Sequence, residues 1–155
     1  MSNLLLVEVA AKKIEQYAQD YLRLLESLSE DELWSTAGNI PNSIGTLARH
    51  LTGNLNHYFG TAFLESGYVR MRDKEFTENN VPKAQVIADL ESAAKITQQA
   101  LHTVDEKTLD QPYTSPEGQV YESLGYYIIH MAMHFAMHYG QGDFAQYIVK
   151  AAKTT

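Results

Sequence analysis

Between Glu122 and Asp143 lie twenty consecutive residues without a single Asp, Glu, Lys or Arg. That is the length of a membrane-spanning helix, so the stretch is either a span or a helix enclosed by its own protein. It carries His130, His134 and His138 together with several tyrosines and glycines, and ionisable groups are costly inside a bilayer. A helix buried on most sides within a bundle satisfies both facts, and no membrane partner is expected. The apolar patch from Leu4 to Val7 is followed at once by Glu8, which is too short for the apolar core of a signal peptide. A cytoplasmic location is the expectation.

The rest of the chain shows the same helical period. From about Asn3 to Leu28, apolar residues at Val7, Ala10, Ile14, Tyr17, Tyr21 and Leu25 keep the three-and-four spacing of one helix face. Ser29 and Glu32 form a capping box that predicts a short helical turn over Glu30 to Trp34. Asn42 or Ser43 can cap a second helix carrying Ile44, Leu47, Leu51, Leu55 and Phe59, which stops before Gly67. A polar, charge-mixed connection follows from Ser66 to Val81. Pro82 opens a third helix ending near His102, and Asp105 to Leu109 reads as a second short acidic turn. Pro112, Pro116 and Gly118 mark a loop, after which a fourth helix is predicted from about Val120 to Ala151.

No segment sustains the period-two alternation of a sheet. The expected fold is all-α, a four-helix bundle with long inter-helix connections, formed as a single domain over residues 1–155. The second connection can stretch on the order of 50 Å, against roughly 30 Å for a 20-residue helix, so it can join two parallel helices.

Charge and composition narrow the function. Lys plus Arg is 12 and Asp plus Glu is 19, a formal net charge of −7, and no basic stripe is present to follow a phosphate backbone. No nucleic-acid partner is expected. The absence of cysteine excludes a disulfide framework, thiolate metal ligation and a cysteine nucleophile, and any thiol chemistry must use a thiol brought by a substrate. The motifs of serine hydrolases, phosphate-binding glycine loops and zinc-protease helices are missing.

The histidines carry the remaining signal. His130, His134 and His138 stand at four-residue steps, so they form one stripe about 12 Å long on a helix. Six histidines placed at random would give roughly 0.2 pairs at this spacing, which is the one that lets two imidazoles clamp an ion; two pairs are present. On the second helix, His50 and His57 lie two turns apart on nearly the same face. Antiparallel packing of the two helices groups His50 with His134 and His138, whereas parallel packing groups it with His130 and His134. Three imidazoles and an open position describe a catalytic type of divalent-metal site. The competing reading is a set of core histidines bonded to one another or to tyrosines.

Two stretches carry a resemblance: Ser43-Ile44-Gly45-Thr46-Leu47-Ala48-Arg49-His50-Leu51, and His134-Phe135-Ala136-Met137-His138-Tyr139-Gly140-Gln141. They are similar to the signature stretches of the DinB-like superfamily of bacterial four-helix-bundle proteins, and the likeness extends over nearly the whole chain. The Gly53-Asn54 pair and the segment from Arg72 to Phe76 resemble a branch whose members are mostly of unassigned function. The resemblance implies a metal triad on His50, His134 and His138, in agreement with antiparallel packing, and transfers no role to His57 or His130. It implies a divalent ion, Zn or Ni, and a low-molecular-weight bacterial thiol as co-substrate. The implied activity is that of a thiol-dependent S-transferase or related metal-dependent enzyme acting on a small molecule, with catalytic residues unassigned.

The alternative is a non-enzymatic metal-binding or dimerising module with packed histidines, and a homodimer is expected. Arg70, Arg72 and Lys74 can hold a substrate carboxylate or form a solvated loop with Asp73 and Glu75. Asn54, Tyr139 and Gln141 are candidates to surround the ligands. Tyr126, Tyr127, Met131, Met133 and Met137 read as core or interface side chains.

Overall fold

The computed structural model describes residues 4–153. Helix α1 (Leu4–Ser27) buries Val7, Ala10, Ile14, Ala18, Tyr21 and Leu25 on one face; Asn3, where the period begins, lies outside the described residues. The capping box closes as its residues dictate: Ser29 Oγ accepts from the Glu32 N–H at 3.2 Å, and the Glu32 carboxylate accepts from the Ser29 N–H at 2.8 Å. It starts the short helix α2 (Glu30–Trp34). Ser43 caps α3 (Ile44–Leu55), its Oγ accepting from the Thr46 N–H at 3.1 Å. The backbone then runs through a π-helical turn, Asn56–Thr61, into α4 (Ala62–Leu64), and stops at Glu65 in the left-handed region.

The second connection is more than a polar link. It contains α5 (Arg72–Thr77), which is held from outside its own sequence. Arg49 on α3 donates to the Lys74 and Glu78 carbonyls, at 2.6 Å each, and so satisfies the end of a helix too short to stand alone. Helix α6 (Lys83–His102) follows Pro82, and Asp105 caps a single turn at Glu106–Thr108. The fourth long helix starts later than its period predicts. Val120–Tyr121 forms strand β2, paired antiparallel with β1 (Tyr113–Thr114), and α7 (Leu124–Ala152) begins behind the Ser123 cap.

Contacts between named residues give the helix directions. Gln98 Nε2 donates to the Ala11 carbonyl and Lys83 Nζ to the Leu28 carbonyl, so α6 runs antiparallel to α1. Leu6 meets Gly125 and Tyr21 meets Gly142, so α7 runs parallel to α1. The Tyr127 hydroxyl donates to the Tyr58 carbonyl while His50 packs on His138, which makes α3 and α7 antiparallel. Arg49 and Thr52 flank Val86 and Asp89, and Gly60 meets Ile96, so α3 and α6 are parallel. In section the order is α1, α6, α3, α7, a four-helix bundle in which the long second connection joins parallel neighbours.

None of the described helices is long and apolar enough to cross a membrane. Helix α7 is also less enclosed than its composition predicts. Tyr127, Met131 and Phe135 are buried, whereas Tyr126, Met133 and Met137 face outward, because α1 and α3 cover only one side of the helix.

Tyr21 locks three helices. Its fully buried hydroxyl donates to the Ile44 carbonyl at 3.0 Å, and its ring lies where a Cβ on Gly142 would sit, 2.5 Å from the oxygen. A glycine in mid-helix costs about 1 kcal/mol relative to alanine, so Gly142→Ala would be stabilising if space allowed. Overpacking a core costs about 1–3 kcal/mol, and a ring buried on every side cannot retreat. Gly142→Ala is therefore expected to destabilise the fold by about 1–2 kcal/mol, read as a lower denaturation midpoint at unchanged slope.

Candidate metal centre

The antiparallel approach of α3 and α7 brings His50 against His134 and His138. One ring nitrogen from each lies within 4.8 Å of the others. His134 Nε2 and His138 Nε2 are 3.2 Å apart, close to the edge of about 3.3 Å that a tetrahedral ion with 2.0–2.1 Å bonds imposes on its ligands. His130, one turn earlier on α7, is not part of the cluster.

Each ring is oriented by a neighbour. Glu75 from α5 is 5% exposed, and its Oε2 lies 2.9 Å from His50 Nδ1. Arg70 engages the same carboxylate with both arms, Nε to Oε1 at 2.7 Å and Nη2 to Oε2 at 2.9 Å. Burial alone would raise the Glu75 carboxyl, but the hydrogen bonds from Arg70 and His50, backed by their charges, hold it below the usual range. It is therefore an acceptor at neutral pH, the Nδ1 proton of His50 donates to it, and the Nε2 lone pair is left for the cluster. On α7, His138 Nδ1 donates to Gln141 Oε1 at 2.7 Å, which leaves its Nε2 bare as well. The Asn54 amide stands between the helices: its Nδ2 donates to the His50 Nε2 lone pair at 3.0 Å, the one an ion would take, and lies 3.4 Å from His134 Nδ1.

Burial, with the neighbouring histidines adding to it, pushes His134 down to about 4. Burial also lowers His138, against a smaller opposing effect of its bond to Gln141. Both are neutral at physiological pH, the form that coordinates metal.

The cluster borders an open cavity of about 400 Å³, walled by Tyr58, Phe76, Tyr121 and the two arginines Arg70 and Arg72. Arg70 is committed to Glu75. Arg72 lies with its guanidinium over the Phe76 ring, 5.4 Å from the centroid. Lys74 instead faces Glu78, 3.8 Å away on the opposite side of α5.

The other candidates separate. His57 bonds Glu117 of the β1–β2 loop at 2.8 Å and takes no part in the cluster. His130 is exposed and lies beside Tyr121 and Tyr126 at the cavity rim. Tyr139 packs on Tyr17 and Tyr21 rather than on a histidine. Glu75 is the residue that local spacing misses. It sits in a mixed-charge stretch that reads as solvated, and its partners His50 and Arg70 come from α3 and from the chain ahead of α5. The only hint is Gly53, where a Cβ would lie 2.0 Å from Glu75 Oε1.

Comparison with known proteins places the chain. The family described as the DinB superfamily matches residues 13–141. The chain belongs to the DinB superfamily. No curated protein matches it in sequence. Among solved structures, this DinB protein is similar to YfiT from Bacillus subtilis, described as "a probable metal-dependent hydrolase with an unusual four-helix bundle topology". The TM-score is 0.70 at 12% identity, over 90% of this chain and 85% of that one. It is also similar to a mycothiol-dependent maleylpyruvate isomerase and to a histidine-to-alanine mutant of that enzyme. For each the TM-score is 0.65 at 13% identity, over 86% of this chain and 59% of the other. Likeness at such identity establishes the shared fold.

The lowered His134 makes the metal-free protein acid-sensitive. Its folded value of about 4 lies below the ordinary 6.5, so the unfolded chain takes up the proton first as pH falls. The stability it contributes is complete above about pH 6.5 and is lost as pH drops toward 4. In chelator, the denaturation midpoint of the wild type is expected to fall through this window, and the fall should be shallower in His134→Gln.

Proposed function

We propose that the chain binds one divalent metal ion, Zn or Ni, on His50, His134 and His138, and that the loaded protein is a thiol-dependent S-transferase or related metal-dependent enzyme acting on a small molecule. The carrying observation is the set of converging imidazoles beside an open cavity. Nδ1 of His50 and of His138 is occupied by a protein acceptor, and among the described residues no fourth His, Asp or Glu joins the group. A structural site is normally closed by a fourth protein ligand; three ligands beside a cleft favour a reactive one. Imidazole suits both zinc and nickel.

Such an ion supplies Lewis acidity, lowering the pKa of a thiol or water placed beside it. The chain's own residues do the rest. Glu75 fixes the tautomer and aim of His50, and Gln141 does the same for His138. Asn54, which donates to His50 Nε2 at 3.0 Å, would yield that lone pair to a bound ion. Arg72 has no acidic partner among the described residues and faces the cavity, where it suits a negatively charged group on the substrate. Tyr58, Phe76 and Tyr121 supply aromatic walls to the open cavity.

A borrowed thiol agrees with a chain that holds no cysteine and with the mycothiol dependence of one structural relative; it also fits a reducing, cytoplasmic setting. The net charge of −7 disfavours a nucleic-acid substrate.

Protein purified without a histidine tag is expected to retain about one equivalent of metal per chain, and His134→Ala to lose it. Glu75→Gln should weaken metal affinity about 10–100-fold. Low-molecular-weight thiols offered with a model electrophile should turn over only with metal present, and chelation should abolish the rate. Equal metal content in wild type and His134→Ala would overturn the ligand assignment. Full metal content without thiol-dependent turnover would overturn the reaction while leaving the site.

A further inference from the structure

Helix α7 has an outer face that the bundle does not use. Tyr126, Met133, Met137, Phe144 and Tyr147 are 53%, 67%, 51%, 67% and 65% exposed. Together with His130, Gly140 and Ala151, all of them exposed, they recur at alternating steps of four and three residues. That is the spacing of a coiled-coil seam, the pattern a helix shows when another helix lies along it. The seam shares His130 with the histidine stripe but runs on the order of 100° around α7 from His134 and His138, and away from the core. It contains no charged residue over eight consecutive seam positions. Isolated apolar residues on a surface need no explanation, but a continuous stripe of this length marks an interaction site.

We propose that this stripe is the interface of a homodimer, with α7 packed antiparallel against α7 of a second copy around a two-fold axis between Met137 and Gly140. Self-complementarity is what selects a second copy. With the axis there, Met137 faces Gly140 of the other chain, Tyr126 faces Ala151, Met133 faces Phe144, and His130 faces Tyr147. Two of the four pairs set a large side chain on a small one, Met137 on Gly140 and Tyr126 on Ala151, and the other two set ring or thioether on ring, Met133 on Phe144 and His130 on Tyr147; nothing occupies the space where a Gly140 side chain would stand. Each contact occurs twice, as a closed two-fold interface requires.

Size agrees. The five large side chains leave exposed the equivalent of about three whole residues, on the order of 600 Å² at roughly 200 Å² each. This is most of the ~800 Å² that one partner gives to a stable interface. Charge agrees as well: two chains of net charge −7 repel wherever their acids face each other, and the uncharged stripe is where they can close. Because His130 lies on both the seam and the cavity rim, the second α7 would stand beside the cavity mouth.

The chain has no cysteine, so introduced thiols report without background. Sedimentation of the wild type across the micromolar range should give twice the 17.5 kDa chain mass, and Met137→Glu and Phe144→Glu should each shift it to the monomer with helical circular dichroism unchanged. A mixture of Met133→Cys and Phe144→Cys chains should form an oxidised heterodimer that neither variant forms with itself. A wild type that stays monomeric would overturn the interface. A dimer untouched by both glutamate variants would place its contact elsewhere and likewise overturn it. Cross-linking of each variant with itself instead of with the other would overturn the antiparallel register. None of these readouts depends on metal, so they stand apart from the enzymatic proposal.

Discussion

A single carboxylate with almost no access to water, Glu75, ties the candidate site to the bundle. Taking a carboxylate out of water costs several kcal/mol unless it is paired and fully hydrogen-bonded. Here both oxygens are engaged, by the two arms of Arg70 and by His50. The arrangement needs close approach of α5 to α3, and Gly53 supplies it, because any side chain there would occupy the position of Glu75 Oε1. A mid-helix glycine costs about 1 kcal/mol, which is small beside the 3–5 kcal/mol typical of leaving a buried charge unpaired. The helix accepts the smaller loss, and in return the His50 ring is held in one tautomer and one direction.

The order of the helices sets which histidines can cooperate. Because α3 descends beside a rising α7, residues near the start of α3 face the middle of α7, and residues near its end face the start of α7. His50 therefore meets His134 and His138, while Tyr58, two turns later, meets Tyr127. Parallel packing would have moved the same ring one turn back. The long crossover that makes α3 and α6 parallel is also the segment that carries Arg70, Arg72 and Glu75, so the cost of a long connection is joined to the construction of the cavity wall.

The parts of this structure that local rules govern were legible in the sequence. Ser29, Ser43 and the periodic apolar residues act within one or two turns, and the helices they predict are present. The four-residue steps of His134 and His138 depend only on helix geometry, and their meeting with His50 needed one further fact, the direction of packing. What local rules miss depends on distant partners. Helix α5 exists because Arg49 reaches across to its carbonyls; Val120 and Tyr121 leave the helical period because Tyr113 and Thr114 pair with them. His57 keeps the face of His50 on paper, yet its bond to Glu117 directs it to the hairpin loop. Glu75 is the same case at the site itself: five residues with mixed charge look solvated until the helix that covers them is known.

Helix α7 combines these constraints, and its composition follows from them. One face fills the core with Tyr127, Met131 and Phe135, where a charge would be buried without a partner. A second carries imidazoles whose neutrality depends on the same low polarity, since an acid beside His134 would favour its protonated form and compete with any ion. The third is the exposed seam, uncharged although water would accept any charge placed there. Core packing and the histidine cluster explain two of the three faces. The remaining one is where a lysine or glutamate would be free of cost to the isolated chain, and its absence from eight seam positions is the observation that a bundle standing alone leaves without a cause. A second α7 laid along the first supplies one, because the seam then becomes an interior and obeys the rule that empties the other two faces of charge.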